Sequence, residues 1–383
     1  MDFELSEELK MVQGLARDFV RERLKPLERD VLGRSADLSD ARACLPAEKE
    51  TALIALAKEA GLWGIGVPEG LGGAGLGTLG VCLVEEELGA AVVPFRLGDV
   101  SPVLFDCNQD QRERYLTPTL NYEKRPYLAF IEPGNSDVLK MKTTAEKADG
   151  GYIINGQKLS LSRPSPDFFV VVFASTKKGA TCFLVDKDAP GLSIDYCGEN
   201  TGWLARIREP MKLTFNGCCV EPADVLGEEG GAFRLGTRWL PQRRIVRGAR
   251  AVGAARRLLE EAATQAQSAA AFGRPVIDRR DIRAALADMA AQVRAARLMV
   301  YEAAWRADSG RSIKREGVML KLFTTQTLRR VADWAAHVFN GPPYIDGLPM
   351  ELLCRRALEV NLGELSLQRQ TDFLAEDVIQ GIR

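Results

Sequence analysis

The amino-acid sequence predicts three domains: an N-terminal all-α domain, a middle antiparallel β-barrel or β-sandwich domain, and a C-terminal four-helix bundle. Helical periodicity dominates both ends of the 383-residue chain, whereas β-prone runs separated by turn residues dominate its middle. A chain of this length also exceeds what one hydrophobic core usually supports. We therefore expect domains at residues 1–125, 126–225 and 226–383.

Helical patterns with clear start and stop signals define the first domain. A helix is expected to begin after Ser6, which is a good N-cap residue, and further helices are expected over Pro46 to Ala60 and Thr78 to Gly89. The loop Gly70 to Gly75 satisfies the pattern G-x-G-x-x-G. No β-prone run precedes this loop, so we interpret it as a surface loop and not as a dinucleotide-binding turn.

Short β-prone runs define the middle domain. The dipeptide Asn155-Gly156 stands between two such runs and predicts a hairpin turn, and the runs at Phe168 to Phe173 and Thr181 to Val185 continue the pattern. Past Gly230, runs rich in alanine, leucine and arginine predict long, closely packed helices. These runs cover about 235–272, 278–308, 314–340 and the residues after Pro349.

Composition excludes several classes of function. The net charge is −1, so no overall field attracts nucleic acid. The N-terminus does not have the pattern of a signal peptide, and no apolar run approaches the about 20 residues that span a bilayer, so we expect a cytoplasmic protein without a membrane span. The eight cysteines form no Cys-x-x-Cys pair and His337 is the only histidine, which argues against metal sites and Ser-His-Asp chemistry. An enzyme of this composition is expected to use a carboxylate as its base.

Arginine is concentrated in one stretch of the C-terminal domain. Seven arginines between Arg238 and Arg257 follow a helical pattern. We interpret them as a solvated or subunit-facing side of a helix, and an anion site is the alternative.

Motifs along the whole chain resemble those of the acyl-CoA dehydrogenase family. Residues 131–137, Ile-Glu-Pro-Gly-Asn-Ser-Asp, and 155–158, Asn-Gly-Gln-Lys, are similar to the family signature Thr-Glu-Pro-x-x-Gly-Ser-Asp followed by Asn-Gly-x-Lys. The opening residues 1–8, the segment from Gly61 through the glycine loop, Glu85 to Gly89, and Phe272 to Pro275 also resemble family sequences in the same order. The resemblance implies the acyl-CoA dehydrogenase fold.

The resemblance also implies a function and a site. Family members hold FAD between the middle and C-terminal domains, partly across a subunit interface, and oxidise acyl-CoA thioesters to 2-enoyl-CoA. The base falls on Glu364, where a positioned carboxylate would remove the α-proton of a polarised thioester. The implied cofactor-binding residues are Ser136, Ser162, Phe272, His337, Gly341, Ser366 and Gln368. Arg244 and Arg247 are the implied substrate-binding residues, for a CoA phosphate or for a polar or carboxylated acyl group.

Partners follow from the same resemblance. The expected partners are an acyl-CoA substrate, an electron-transferring flavoprotein, and other subunits, either in a homo-oligomer (dimer or tetramer) or in a hetero-oligomer with a related chain. Arg356 in place of an aspartate of the family, and Leu365 in place of a glycine, fit a remodelled subunit interface.

The cofactor motifs depart from the family at several positions. Ile131 replaces a threonine, Ser160 replaces an aromatic residue beside the flavin, and Ala269 replaces an arginine that pairs with the FAD diphosphate. The stretch 337–343 replaces Gln-x-x-Gly-Gly-x-Gly and contains two prolines, which lack N–H donors. We favour a working FAD-dependent acyl-CoA dehydrogenase. A partner subunit of a heteromeric dehydrogenase with an incomplete flavin site, or a non-catalytic acyl-CoA-binding relative, is the alternative.

Overall fold

The computed structural model describes residues 4–36, 45–98, 100–135, 140–162, 165, 167–196, 209–271, 273–339, 349–359 and 367–382. These residues form two compact units. The first consists of Met1–Pro68, Ala74–Leu97 and Pro241–Arg383, and the second of Glu69–Gly73 and Gly98–Leu240.

The predicted N-terminal helices are confirmed. The helices are α1 (Glu7–Phe19), α2 (Glu28–Ala36), α3 (Ala47–Glu59), α4 (Gly77–Gly89), α5 (Gln109–Gln111) and α6 (Thr117–Leu120). A π-helical turn, Val20–Leu24, and a 3-10 turn, Lys25–Leu27, join α1 to α2, and a second π-helical turn, Arg112–Leu116, joins α5 to α6. The side chain of Ser6 accepts a hydrogen bond from the backbone N–H of Leu9 at 3.3 Å, which confirms Ser6 as the N-cap of α1.

Eight strands of the second unit form one sheet. The strands are β1 (Arg125–Ala129), β2 (Thr144–Ala148), β3 (Gly151–Ser162), β4 (Phe168–Thr176), β5 (Gly179–Asp186), β6 (Leu192–Tyr196), β7 (Glu209–Val220) and β8 (Val225–Leu226). Their order is β6-β7-β3-β2-β4-β5-β8, and β1 also pairs with β4. Most neighbours are antiparallel, but β1 and β2 run parallel to β4. Tyr127, Ile154, Phe183 and Leu213 belong to the apolar core of this unit.

The hairpin turn predicted at Asn155-Gly156 is wrong. Both residues lie inside the continuous strand β3, and the register between β3 and β7 shifts between Ile154 and Gly156. Gly156 has a φ of 142°, and a Cβ added there would approach the Thr143 Cα to 2.7 Å. The Asn155 side chain accepts a hydrogen bond from the Gly217 N–H at 2.8 Å. The dipeptide therefore forms a β-bulge, because pairing with two neighbouring strands outweighs the local turn preference.

The long helical runs of the last third are also confirmed. They form α7 (Ala232–Ser268), α8 (Arg280–Asp308), α9 (Lys314–Phe339), α10 (Pro349–Glu359) and α11 (Leu367–Ile382), and two short strands, β9 (Ala270–Ala271) and β10 (Arg274–Pro275), lie between α7 and α8. Within the ranges described above, no helix combines the length and the apolar character needed to cross a membrane.

Glycines allow α4 and α7 to pack with their backbones in contact. A Cβ added at Gly253 of α7 would lie 1.9 Å from the Glu86 carbonyl oxygen of α4, and one added at Gly89 would lie 2.2 Å from the Arg250 carbonyl oxygen. No side chain fits at such distances. The crossing of these two helices therefore depends on glycine on both sides.

Candidate functional site

The structure describes five of the predicted cofactor- and substrate-binding positions. Ser162 is the last residue of β3, Arg244 and Arg247 lie on α7, His337 lies on α9, and Gln368 lies on α11. The other predicted site residues lie outside the described residues: Glu364, Ser136, Phe272, Gly341 and Ser366. The described positions are divided between the two units, with Ser162 in the second and the other four in the first.

The family-like segment after β1 folds around the side chain of Glu132. The Asn135 N–H donates to the Glu132 carbonyl oxygen at 3.1 Å, and Gly134 has a φ of 66°, which is a conformation that glycine readily adopts. The backbone N–H of Leu159 on β3 donates to the Ile131 carbonyl oxygen at 2.8 Å. The segment is therefore fixed to β3 on one side and turns sharply on the other.

The Glu132 carboxylate is the centre of a buried hydrogen-bond network. It accepts from the N–H of Lys142 at 2.8 Å, the N–H of Thr143 at 2.8 Å and the hydroxyl of Thr143 at 2.8 Å. It also accepts from Nδ2 of Asn135 at 3.2 Å and from Nζ of Lys158 at 3.0 Å. The side chain of Glu132 is 5% exposed and that of Lys158 is 0% exposed. We call these five residues the Glu132 centre.

Burial and hydrogen bonding act in opposite directions on this pair. Burial raises the pKa of Glu132, but the backbone donors of Lys142 and Thr143, the Thr143 hydroxyl and Lys158 outweigh it and lower the pKa to about 2. Burial lowers the pKa of Lys158, and the hydrogen bond and charge of Glu132 partly oppose that shift. The carboxylate is thus firmly ionised at neutral pH.

The residues that depart from the family pattern in this unit lie beside the Glu132 centre. Ile131 directly precedes Glu132, and Ser160 follows Lys158 by two positions on β3. Alternate residues of a strand share a face, so Lys158 and Ser160 lie on the same side of β3, and Ser160 is buried. From the sequence we predicted neither this pairing nor its burial, although both partners stand inside the two motifs that carry the resemblance.

The predicted residues of the helical unit occupy different environments. Arg244 is buried and Arg247 is half-buried, and their spacing of three places them on the same side of α7. His337 is exposed, stacks edge-on against Trp334, and lies 3.9 Å from a carboxylate oxygen of Asp281. Gln368 is also exposed, and its Nε2 donates to Asp372 at 2.8 Å.

The interpretation of the α7 arginines as a solvated or subunit-facing surface is wrong for three of them. Arg250 binds Glu85 at 2.9 Å, Arg256 binds Glu87 at 2.6 Å, and Arg257 binds Glu28 at 3.3 Å. All three carboxylates are buried. These arginines therefore neutralise acidic side chains within the same unit.

The segment that follows α4 is held by arginine side chains. Arg356 of α10 donates to the carbonyl oxygens of Ala91 at 2.5 Å and Val92 at 2.8 Å, and Arg250 donates to that of Phe95 at 2.7 Å. These three residues are buried and outside regular secondary structure, so their carbonyl groups need such donors. Arg356, which we considered a sign of a remodelled subunit interface, thus makes contacts within its own chain.

Helices, then a sheet, then a helical bundle, in this order, define the fold of the acyl-CoA dehydrogenases. Models of the N-terminal, middle and C-terminal domains of these enzymes match residues 6–123, 129–214 and 231–379. The chain belongs to the acyl-CoA dehydrogenase family. Members of this family are FAD-dependent oxidoreductases that act on CH–CH groups.

Individual relatives match over most of the chain. Benzylmalonyl-CoA dehydrogenase of Aromatoleum aromaticum is 34% identical over 368 residues, which cover 93% of each chain. (R)-benzylsuccinyl-CoA dehydrogenase of Thauera aromatica is 33% identical over 364 residues, which cover 89% of this chain and 88% of the relative. The structure of a glutaryl-CoA dehydrogenase in complex with glutaryl-CoA superimposes with a TM-score of 0.86 at 25% identity and covers 100% and 98% of the two chains.

The types of donor at the predicted cofactor positions fit FAD. The set offers three serine hydroxyls, an imidazole and a carboxamide, which can bond the ring edge and the diphosphate of such a cofactor. His337 and Gln368 are exposed, so their N–H groups are accessible, although each lies beside an aspartate that a diphosphate would have to displace. The buried Ser160 supplies a hydroxyl where the family has an aromatic ring.

Proposed function

We propose that this chain binds FAD and oxidises the acyl group of a CoA thioester to the 2-enoyl-CoA. The observation that carries this proposal is the likeness, over 93% of each chain, to a relative that is itself named as a dehydrogenase of an acyl-CoA. The resemblance of the sequence implies Glu364 as the catalytic base and hydroxyl, imidazole and amide groups as cofactor contacts. A shared fold alone would not support this conclusion.

In the proposed reaction Glu364 removes a proton from the α-carbon of the thioester. The electron pair of that C–H bond forms the new double bond as a hydride leaves the β-carbon, and bound FAD is the hydride acceptor. The carboxylate must be held against the α-carbon, because general-base catalysis requires hydrogen-bond reach and not only a suitable pKa. Ser136, Ser162, Phe272, His337, Gly341, Ser366 and Gln368 are the proposed cofactor contacts.

The proposed substrate class is an acyl-CoA whose acyl group carries a free carboxylate in addition to the thioester. The named relatives act on benzylmalonyl-CoA and benzylsuccinyl-CoA, and the structural neighbour binds glutaryl-CoA. Each of these acyl groups comes from a dicarboxylic acid. Arg244 and Arg247, on one side of α7, are the proposed partners of this carboxylate, because a guanidinium can bind a carboxylate with two parallel hydrogen bonds.

The test is the visible absorption spectrum of the purified chain with added FAD, followed by titration with benzylsuccinyl-CoA and with butyryl-CoA. We expect a flavin band that bleaches with the dicarboxylic thioester and bleaches less with butyryl-CoA. Glu364→Gln should keep the band and lose the bleaching. A wild-type protein that takes up no FAD would contradict the proposed reaction. So would a flavin band that bleaches equally in the wild type and in Glu364→Gln.

A partner subunit of a heteromeric dehydrogenase is the second candidate. Ala269 and Ser160 favour it, since these positions lack the arginine and the aromatic ring with which the family holds FAD. This chain would then bind FAD only with a related subunit that supplies the missing groups. Co-expression with such a relative distinguishes the two cases, because a flavin band that appears only in the mixed oligomer supports the second. An electron-transferring flavoprotein is the proposed electron acceptor in both.

A further inference from the structure

One carboxylate holds both ends of the segment that carries Ser136. Glu132 accepts from Asn135, which directly precedes Ser136, and from the backbone of Lys142 and Thr143 beyond it. Nδ2 of Asn135 also donates to the carbonyl oxygen of Lys140 at 2.9 Å. The described residues before and after Ser136 are therefore tied to one another through a single side chain.

Lys158 ties the same carboxylate to the strand that bears Ser160 and Ser162. Its ammonium group is fully buried and reaches Glu132 across 26 positions of sequence. A buried ion pair adds little stability compared with an apolar pair of the same size, because desolvation offsets most of the attraction. What the ion pair adds over an apolar pair is a fixed geometry, since five donors converge on two oxygen atoms.

We infer that Glu132 and Lys158 are positioning residues for the cofactor. They fix the described residues on either side of Ser136, 131–135 and 140–143, against β3, the strand on which Ser160 and Ser162 lie. This inference rests on the proposed function, in which Ser136 and Ser162 contact FAD. It assigns to two buried residues the task of aligning the proposed FAD contacts.

The experiment compares Glu132→Gln, Lys158→Met and the double variant, in the full-length chain, with Gln111→Leu as the matched control. Gln111 is buried in the same unit, and its Nε2 donates to the carbonyl oxygens of Ala223 at 2.7 Å and Val225 at 2.9 Å, away from the Glu132 centre. For each protein the thermal midpoint, the dissociation constant for FAD and the visible circular dichroism of bound flavin are measured.

The double variant separates positioning from stability. It removes both charges, so its thermal midpoint should recover most of what Glu132→Gln loses. A carboxamide has only one acceptor oxygen and cannot keep all the ties, so FAD should still bind at least about tenfold more weakly, with an altered dichroism spectrum. Gln111→Leu should lower the thermal midpoint and leave FAD affinity unchanged. FAD affinity that simply follows the midpoint in all four variants would overturn the inference.

Amide hydrogen exchange tests the positioning role without FAD, so it distinguishes failure of this inference from failure of the proposed function. If the wild-type chain takes up no FAD, amide hydrogen exchange over residues 131–143 still reports the ties themselves. Faster exchange there in the double variant than in Gln111→Leu, at matched thermal midpoints, would support positioning of the segment. Equal exchange in the two proteins would overturn it.

Discussion

Each of the two units contains a buried cluster of charged side chains, and the two clusters are built in opposite ways. In the first unit, the consecutive residues Glu85, Glu86 and Glu87 of α4 are all buried. Successive residues of a helix point about 100° apart, so the three carboxylates face different neighbours. Their cations come from three other helices: Arg17 of α1, Arg250 and Arg256 of α7, and Arg297 of α8.

In the Glu132 centre of the second unit all donors converge on one carboxylate, whereas in the α4 cluster the contacts are distributed over three carboxylates. One carboxylate collects every donor, and Lys158 is the only cation bonded to it among the described residues. In the α4 cluster, by contrast, Glu87 binds both Arg17 and Arg256, and Glu86 binds both Arg297 and Tyr301. A distributed cluster can lose one partner and keep its carboxylate paired. The convergent centre has no substitute when Glu132 is lost.

The largest expected effect is therefore at Glu132. Glu132→Met leaves a fully buried ammonium group without its counter-charge, so we expect the free energy of unfolding to fall by about 3–5 kcal/mol. Lys158→Met should cost clearly less, because the carboxylate keeps its bonds to Lys142, Thr143 and Asn135. Urea denaturation of the two variants measures both values. Equal losses of stability would contradict the convergent arrangement, in which the donors depend on Glu132 more than Glu132 depends on Lys158 alone.

The motif around Glu132 could be read from the sequence, but its physical role could not. Glu132 and Lys158 stand in two segments that resemble the family signature, and the fold followed from that resemblance and from periodicity. The pair itself joins residues from two separate segments, and no local pattern identifies which lysine reaches which glutamate. The same limit applies to Glu85 and Arg250, which are 165 positions apart in the chain.

Local rules failed where long-range pairing was stronger. Asn155-Gly156 is a good hairpin dipeptide, yet β2 and β7 both pair with β3 on either side of it and keep the strand extended. The arginine-rich pattern of α7 predicts a solvated or subunit-facing surface because arginine is usually exposed. Arg250, Arg256 and Arg257 pair with glutamates of the facing elements that are themselves buried, which periodicity within α7 does not reveal.

Acid should weaken the Glu132 centre through protonation of a single group, the Glu132 carboxylate. The pKa of Glu132 is about 2 in the folded protein against an ordinary value of 4.5. A depressed folded pKa means that the carboxylate stabilises the fold above pH 4.5 and that this contribution is lost as the pH falls towards 2. At about 1.4 kcal/mol per pKa unit the loss amounts to about 3 kcal/mol.

The measurement is the free energy of unfolding of the wild type and of Glu132→Gln between pH 7 and pH 2. The difference between the two proteins should be constant near neutrality and should shrink by about 3 kcal/mol as the pH falls from 4.5 to 2. Gln111→Leu is the control. Neither the Gln111 amide nor the backbone carbonyl groups to which it donates are ionisable, so the stability lost in this variant should not change over this pH range. A constant difference for Glu132→Gln would contradict the role of its ionised form.

The smallest expected effect is in the distributed cluster. Arg256→Met should lower the free energy of unfolding by about 1 kcal/mol, because Glu87 keeps its bonds to Arg17 at 3.1 and 3.3 Å. Arg17→Met alone should cost less than about 1 kcal/mol, since Arg17 is 57% exposed. The double variant removes both arginines that bond the buried Glu87 among the described residues, so its loss should exceed the sum of the single losses by about 1 kcal/mol. Additive losses would mean that the two arginines do not replace one another, and the contrast with the Glu132 centre would then fail.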